Sequence, residues 1–493
     1  MMQMATLEPC SRNHFTQPSS LRVYCSLPMK DKSPEDIRSH RTIQPWRGRC
    51  SIGQIAQQQH GAVIVLEHRF FGLSNPYPYL NAASLRYLTI QQAVDDHEYF
   101  AKTATLPMPG GSTVKPNQVP WVLVGGSYSG APTSWTMAAK PNLFVAGYAS
   151  SAIVQAIPNL WVYFEPIRRN MPQNCSADVQ AVVAHIDQVF TSKSQSEIDA
   201  IKANFGLQSL THLDDVAGAL RHNLFDWQSL SPGTGTEGRF FKFYDALEVK
   251  NGVTAPASGF GVDHALAAWG NFWKSSYLNA LCGGSNVVGC LGTYDPSLTY
   301  YHDTTVNNAQ RSWMWIICNE VGFWKVGAPA GYPTLVTRLV NPQYEEVREF
   351  MTMLCVYADA ERLCTYYFLD KFSTPPVPSA AAVNKAYGGW SVNIDHLFFA
   401  NGRRAFCSHS VRASSRLTCN LGDPWLEATV STGSSPYMAS AARPVGVSDG
   451  FHCSDLITVY GYYNSTVAAV QRQGLAAIKT WLRSGPQWWR RSG

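Results

Sequence analysis

A chain of 493 residues with 45% apolar and 15% charged residues, including 15 Trp, 23 Tyr and 22 Phe, carries ample core material, which excludes a disordered or fibrous protein. Its net charge of +5, from 39 Lys and Arg against 34 Asp and Glu, is spread along the sequence without a block of like charge longer than pieces such as Arg490-Arg491. That pattern gives nucleic acid no electrostatic footing, and no apolar run approaches the length of a membrane span.

Twelve cysteines contain no Cys-x-x-Cys pair. This argues against a zinc ribbon or a redox motif, and the wide spacing suits scattered disulfides in an oxidising compartment. No histidine or cysteine spacing of the zinc-binding kinds is present, so neither metal nor cofactor is expected. Two sequons, at Asn174 and Asn464, would accept glycans in such a compartment. Met1–Gln17 lacks the apolar stretch of roughly 7–15 residues that a signal peptide needs. The expectation is therefore either a protein that stays inside or a start that lies elsewhere, and residues 1–49 form an atypical N-terminal segment.

In chain order, Ala62–Leu66 is a continuous apolar run that predicts a strand buried on both faces of a parallel sheet. Val119–Val124 is a second such run, Val145–Ala149 a third and Leu397–Ala400 a fourth, with material between them for crossover helices. From about Trp161 to Gly388 the period becomes helical, as in Val179/Val182/Val183/Ile186/Val189 and again around Val347–Cys355. A final helix over Thr466–Arg483 places Val467, Val470, Leu475, Ile478 and Leu482 on one face, and Gly485-Pro486 stops it. The pattern predicts an α/β core in two parts, 50–160 and 389–493, separated by a mainly helical insertion over 161–388.

The run Gly125-Gly126-Ser127-Tyr128-Ser129-Gly130 follows the second strand and opens a helix, the context of a nucleophile elbow. The usual G-x-S-x-G pattern is imperfect, because Ser129 replaces the last glycine. A serine nucleophile needs a base to take its proton and a carboxylate to orient that base, in the chain order Ser, Asp, His. Asp423, in a loop set by Pro424, and His452, in a loop before the final helix, supply that order. Asp395, Asp449 and Asp455 remain as spare acids and His396 as a spare base. The backbone N–H of Tyr128, the residue after the serine, is the expected oxyanion donor.

These motifs, with Leu66–Pro76, Leu88–Asp96, Arg311-Ser312-Trp313, Cys318, Gly322-Phe323-Trp324, Asp423-Pro424-Trp425 and Phe451–Leu456, resemble the lysosomal Pro-Xaa carboxypeptidase family of serine peptidases. That family includes dipeptidyl peptidase II and fungal prolyl endopeptidases, and the resemblance runs from about Gln54 to Arg483 with a fungal flavour. It implies an α/β-hydrolase core with an inserted helical cap, Ser127 as nucleophile, Asp423 as orienting acid and His452 as general base. It also implies cleavage after proline in peptides or proteins, a prolyl pocket lined by Trp425, and an extracellular or vacuolar location. Flat aromatic walls suit a rigid apolar ring that lacks an N–H. Oligomeric state and the choice between exo- and endopeptidase action are not legible.

The chain departs from the family twice. Leu21–Arg49 contains nothing like the glycine-rich strand and Gly-Glu loop that relatives carry. The 18 residues Ala405–Gly422 separate Asn401-Gly402-Arg403-Arg404 from Asp423, where relatives run almost directly into Asp-Pro-Trp. Excising them restores Asn-Gly-Arg-Arg-Asp-Pro-Trp, so we hypothesise a translated intron; a mature transcript that encodes Ala405–Gly422 would refute it. A genuine loop there would cost only about 0.6 kcal/mol per doubling of length, but its place beside the acid threatens to displace Asp423. An esterase or lipase on the same core, and a catalytically impaired relative, are the alternative functions.

Overall fold

Four parallel strands, β1 (Val122–Gly126), β2 (Ala146–Ser150), β3 (Leu397–Gly402) and β4 (Val445–Ser448), lie side by side in chain order at the centre of the computed structural model. The structure describes residues 50–484 apart from 109, 193, 232–237, 342–358, 404–421 and 434–442. Register pairs Gly126 with Ser150, Ser150 with Ala400, and Gly402 with Ser448, so the C-terminal ends of all four strands come out at one edge. In open α/β sheets that edge is where chemistry is placed.

Side chains alternate across the sheet with the period of two that a strand imposes. Leu123, Ala149, Leu397 and Phe399 face one buried apolar cluster, which continues without a break through Trp135, Ile186 and Trp269 of the helical region. Val124, Ala146, Tyr148, Phe398 and Ala400 face the other, closed by Val470 and Ile478. Burial on both faces explains why these strands read as unbroken apolar runs rather than alternating ones.

Four helices contribute to these two clusters. Helix α1 (Ile90–Thr103) starts where the Thr89 hydroxyl accepts the Gln92 N–H at 3.2 Å and packs on α2 (Gly130–Ala139), which follows β1 directly. Arg69 grips α1 through a bidentate pair to Asp96 at 2.5 and 2.6 Å and a 2.8 Å bond to Gln92. Helix α3 (Gln173–Ser192) buries Val179, Val182, Val183, Ile186 and Val189, the face its spacing predicts. The last helix, α4 (Ser465–Ser484), is capped by the Asn464 side chain, which accepts from the N–H of Thr466 at 2.9 Å and of Val467 at 3.3 Å.

Between Trp161 and Gly388 the described chain is mostly helical, with short pairings of Ile157–Asn159 on Gly322–Trp324 and of Val249–Lys250 on Val253–Thr254. Arg311, 3% exposed, ties this region to the core by donating to the carbonyls of Leu80, Tyr301 and Tyr367 at 2.5–2.7 Å, while the Ser312 hydroxyl donates to the Phe70 carbonyl. Disulfides join Cys282 to Cys290 and Cys318 to Cys364.

Two expectations change. Ala62–Leu66 joins no ladder among the described residues; only Glu67 forms an isolated bridge, and Ala62 is exposed. Apolar composition alone does not make a strand, because the ladder needs a partner whose N–H and C=O groups it can meet. Strand β4, whose Val445-Gly446-Val447-Ser448 is too short and too glycine-containing to stand out as an apolar run, was not anticipated. The helical period around Val347–Cys355, the stop at Gly485-Pro486 and the segment 1–49 lie outside the described residues.

Candidate active site

Ser127 sits between the last residue of β1 and the first turn of α2 with φ of +58°, a left-handed conformation that costs a non-glycine residue on the order of 1–3 kcal/mol. The surroundings hold it there. Its N–H donates to the Ser150 carbonyl at 2.9 Å, and its own carbonyl accepts from Gly130 and Ala131 at 3.0 and 3.3 Å. A Cβ on Gly125 would lie 2.2 Å from the Ser129 carbonyl oxygen, and one on Gly130 would lie 2.9 Å from the Ala152 Cβ. The close approach to β2 therefore falls on Gly130. Ser129, with an ordinary φ of −62°, is tolerated where the usual pattern has glycine.

His452 reaches the same point from the loop after β4. Cys453, at φ +56°, turns the chain, and its N–H donates to the Ser151 hydroxyl at 2.9 Å. Below it the buried carboxylate of Asp455 accepts from Ser150 Oγ at 2.7 Å and Tyr148 Oη at 2.8 Å. Ser150 thus anchors both the serine turn and the histidine loop to the end of β2. Asp455 is a brace in this arrangement, and burial pushes its pKa up against those two hydrogen bonds.

Asp423 is fully buried, and one of its oxygens, Oδ1, accepts from His452 Nδ1 and from the Trp425 N–H, each at 2.9 Å. An ionised carboxylate only accepts, so in the neutral imidazole the proton sits on Nδ1, which leaves Nε2 as the acceptor for the Ser127 hydroxyl 2.8 Å away. Burial acts to lower the pKa of the imidazole, but the Asp423 carboxylate and then the Cys453 sulfur outweigh it and hold it well above the ordinary histidine value. Asp423 lies within hydrogen-bond reach of His452 despite the 18-residue separation, and residues 404–421 themselves lie outside the described part of the chain. The spare base stays apart, since His396 bonds the Val145 carbonyl and stacks on Trp481, whereas the spare acid Asp455 is the brace beneath the histidine loop.

Tyr128 follows the serine with its ring fixed edge-on against Trp313 at 5.2 Å and Trp135 at 6.1 Å. Among the described residues no carbonyl takes its backbone N–H. Beside the imidazole, Trp425 meets Tyr163 and Phe323 edge-on at 5.4 and 5.5 Å, and its indole N–H shares the Gln228 side-chain oxygen with the Tyr163 hydroxyl. The ring centroids of Trp425 and His452 are 6.4 Å apart.

The model of the family described as serine carboxypeptidase S28 matches residues 37–226. Among curated proteins, the chain is 31% identical to serine protease vicPa of Bipolaris victoriae (strain FI3) over 447 residues, covering 87% of this chain and 77% of that protein. The chain belongs to the serine carboxypeptidase S28 family. It is accordingly a serine-type peptidase with the α/β-hydrolase fold. It is also 32% identical to the human thymus-specific serine protease, over 85% of this chain and 74% of that one. A probable extracellular serine carboxypeptidase of Arthroderma benhamiae is 26% identical over 89% of this chain and 60% of its own length.

The two sequons differ in this S28 peptidase. Asn174 is buried in α3, its amide donating to Tyr244 Oη and the Ala255 carbonyl at 3.4 Å, so the folded chain has no room for a glycan there. Asn464 is half-buried at the start of α4. Sequence reading missed Tyr163, Gln228 and Lys325, which reach Trp425 from three separate segments; of these only Lys325, next to Gly322-Phe323-Trp324, adjoins a motif. Among the described residues no helix is long and apolar enough to cross a membrane.

Proposed function

We propose that this S28 peptidase cleaves peptide bonds on the carboxyl side of proline, with Ser127 as nucleophile, His452 as general base and Asp423 as the orienting acid. The observation that carries this reading is the continuous hydrogen-bonded line from the strained Ser127 through His452 to a buried carboxylate, with Trp425 beside it. The Ser127 oxygen attacks the substrate carbonyl as its proton passes to His452 Nε2, and the Tyr128 N–H donates to the developing oxyanion. His452 then gives that proton to the departing amine, leaving an acyl-enzyme that water opens by the same route.

The Trp425, Tyr163 and Phe323 rings offer a prolyl ring apolar, edge-lined contact without any demand for a donor N–H. We assign the glycan to Asn464 and the protein to an extracellular or vacuolar compartment, which its disulfides favour. The direct test is a panel of proline-containing peptides with free and blocked ends, read by mass spectrometry. Cleavage after proline is expected. Hydrolysis of fatty-acyl esters with every proline peptide left intact would replace this reading by an esterase.

A further inference from the structure

Lys325 follows the short strand Gly322–Trp324 and lays its ammonium on the aromatic cluster beside His452. The nitrogen is 4.5 Å from the centroid of the Trp425 ring and 5.3 Å from that of Tyr163. The same Trp425 ring lies 6.4 Å, centroid to centroid, from the imidazole of His452. Arg221 adds a second positive charge close by, donating to the Lys325 carbonyl at 2.8 Å. No described carboxylate pairs with Lys325, and burial together with Arg221 pulls its pKa down to about 7.

A half-buried lysine whose ammonium faces aromatic rings is only partly repaid by cation–π attraction, and a methionine of similar volume would fill the place without the penalty. A cation set on aromatic rings beside His452, with no carboxylate partner among the described residues, marks a candidate binding site. Proton transfer does not account for it, since His452 already meets the Ser127 hydroxyl. What remains unsupplied is an anion.

We propose that Lys325 is the counter-ion for a carboxylate of the peptide substrate, held against Trp425 and Tyr163 within reach of the scissile bond. Two parts of a peptide offer that chemistry: the free C-terminal carboxylate, and an acidic side chain next to the bond that is cut. The proposal rests on Ser127 being the nucleophile of this site.

The experiment uses the full chain and two matched pairs of proline peptides, one pair differing only in a free or amidated C-terminus, the other only in Glu or Gln next to the scissile bond. The wild-type protein is expected to favour the charged member of one pair by about tenfold or more in kcat/KM, and the pair that responds names the source. In Lys325→Met that ratio falls to near one, while Lys325→Arg keeps most of it. Lys325→Gln repeats the test in case the methionine variant does not fold. A wild-type ratio near one in both pairs, or a ratio that survives removal of the charge, overturns the proposal. Covalent labelling by a fluorophosphonate separates the two levels: label on Ser127 with no charge preference sinks this inference alone, whereas no label on Ser127 sinks the reading beneath it as well.

Discussion

The two halves of the site are built differently. The Ser127 and His452 half hangs on the C-terminal end of one strand: Ser150 accepts the Ser127 N–H through its carbonyl and braces the histidine loop through Asp455. The Trp425 half is gathered from segments far apart in sequence, with Tyr163, Gln228, Phe323 and Lys325 converging on one indole. The first half is backbone geometry, enforced by glycines with no room for a Cβ; the second is side-chain packing. Reactivity and selectivity should therefore respond to different substitutions.

The sharpest break is Ser127→Ala, which removes the proposed nucleophile; kcat should fall by about a millionfold while thermal stability holds or rises, since the side chain is not needed for packing. A residual rate within about tenfold of wild type would assign the chemistry elsewhere. Asp423→Asn comes next, with kcat lower by about ten-thousandfold because the imidazole loses its orienting acceptor.

The same substitution has a pH signature. General-base action needs neutral His452, and a pKa held well above the ordinary value of about 6.5 places the acid limb of kcat/KM above that pH. Loss of the Asp423 charge removes the largest upward cause and leaves burial opposed by Cys453 alone, so the limb moves to lower pH. In stability the sign is opposite: the pairing of imidazolium with Asp423 stabilises the fold most below the ordinary value and is lost as pH rises through the raised one.

Trp425→Leu acts on the other half. Loss of aromatic contact should lower kcat/KM on proline peptides by about ten- to a hundredfold, with a much smaller change in the rate of fluorophosphonate labelling at Ser127. Equal losses in both assays would mean that the indole supports the triad rather than the substrate. Arg69→Met is the mildest. It breaks the pair to Asp96, whose side chains are 21% and 17% exposed, so unfolding should be easier by about 2 kcal/mol in denaturant titration while kcat stays at the wild-type value.

The same division sets what could be read before the fold was known. Strands β1 to β3, α3, α4 and the turn at Ser127 were legible because each is a local pattern: an unbroken apolar run, a helical period, or a turn whose glycines have a steric cause; Asp423 and His452 were singled out instead by their order along the chain and by the family resemblance. Lys325 and Tyr163 were not, because nothing in their local sequence says which distant indole they will meet. Ala62–Leu66 failed for a related reason, since pairing is decided by the neighbour and not by the run itself. At Asn174 the sequon is intact, yet its side chain is buried within α3, a placement that the triplet itself does not reveal.

The central claim is that the strained serine of the elbow is the atom that attacks, activated by a histidine tied to Asp423. Reaction of the folded protein with a fluorophosphonate, followed by peptide mapping of the adduct across a pH series, measures this directly. A single adduct on Ser127, forming more slowly as pH falls through the raised histidine value, is the predicted result. An adduct on another serine, or a labelling rate that does not change over that range, would contradict it.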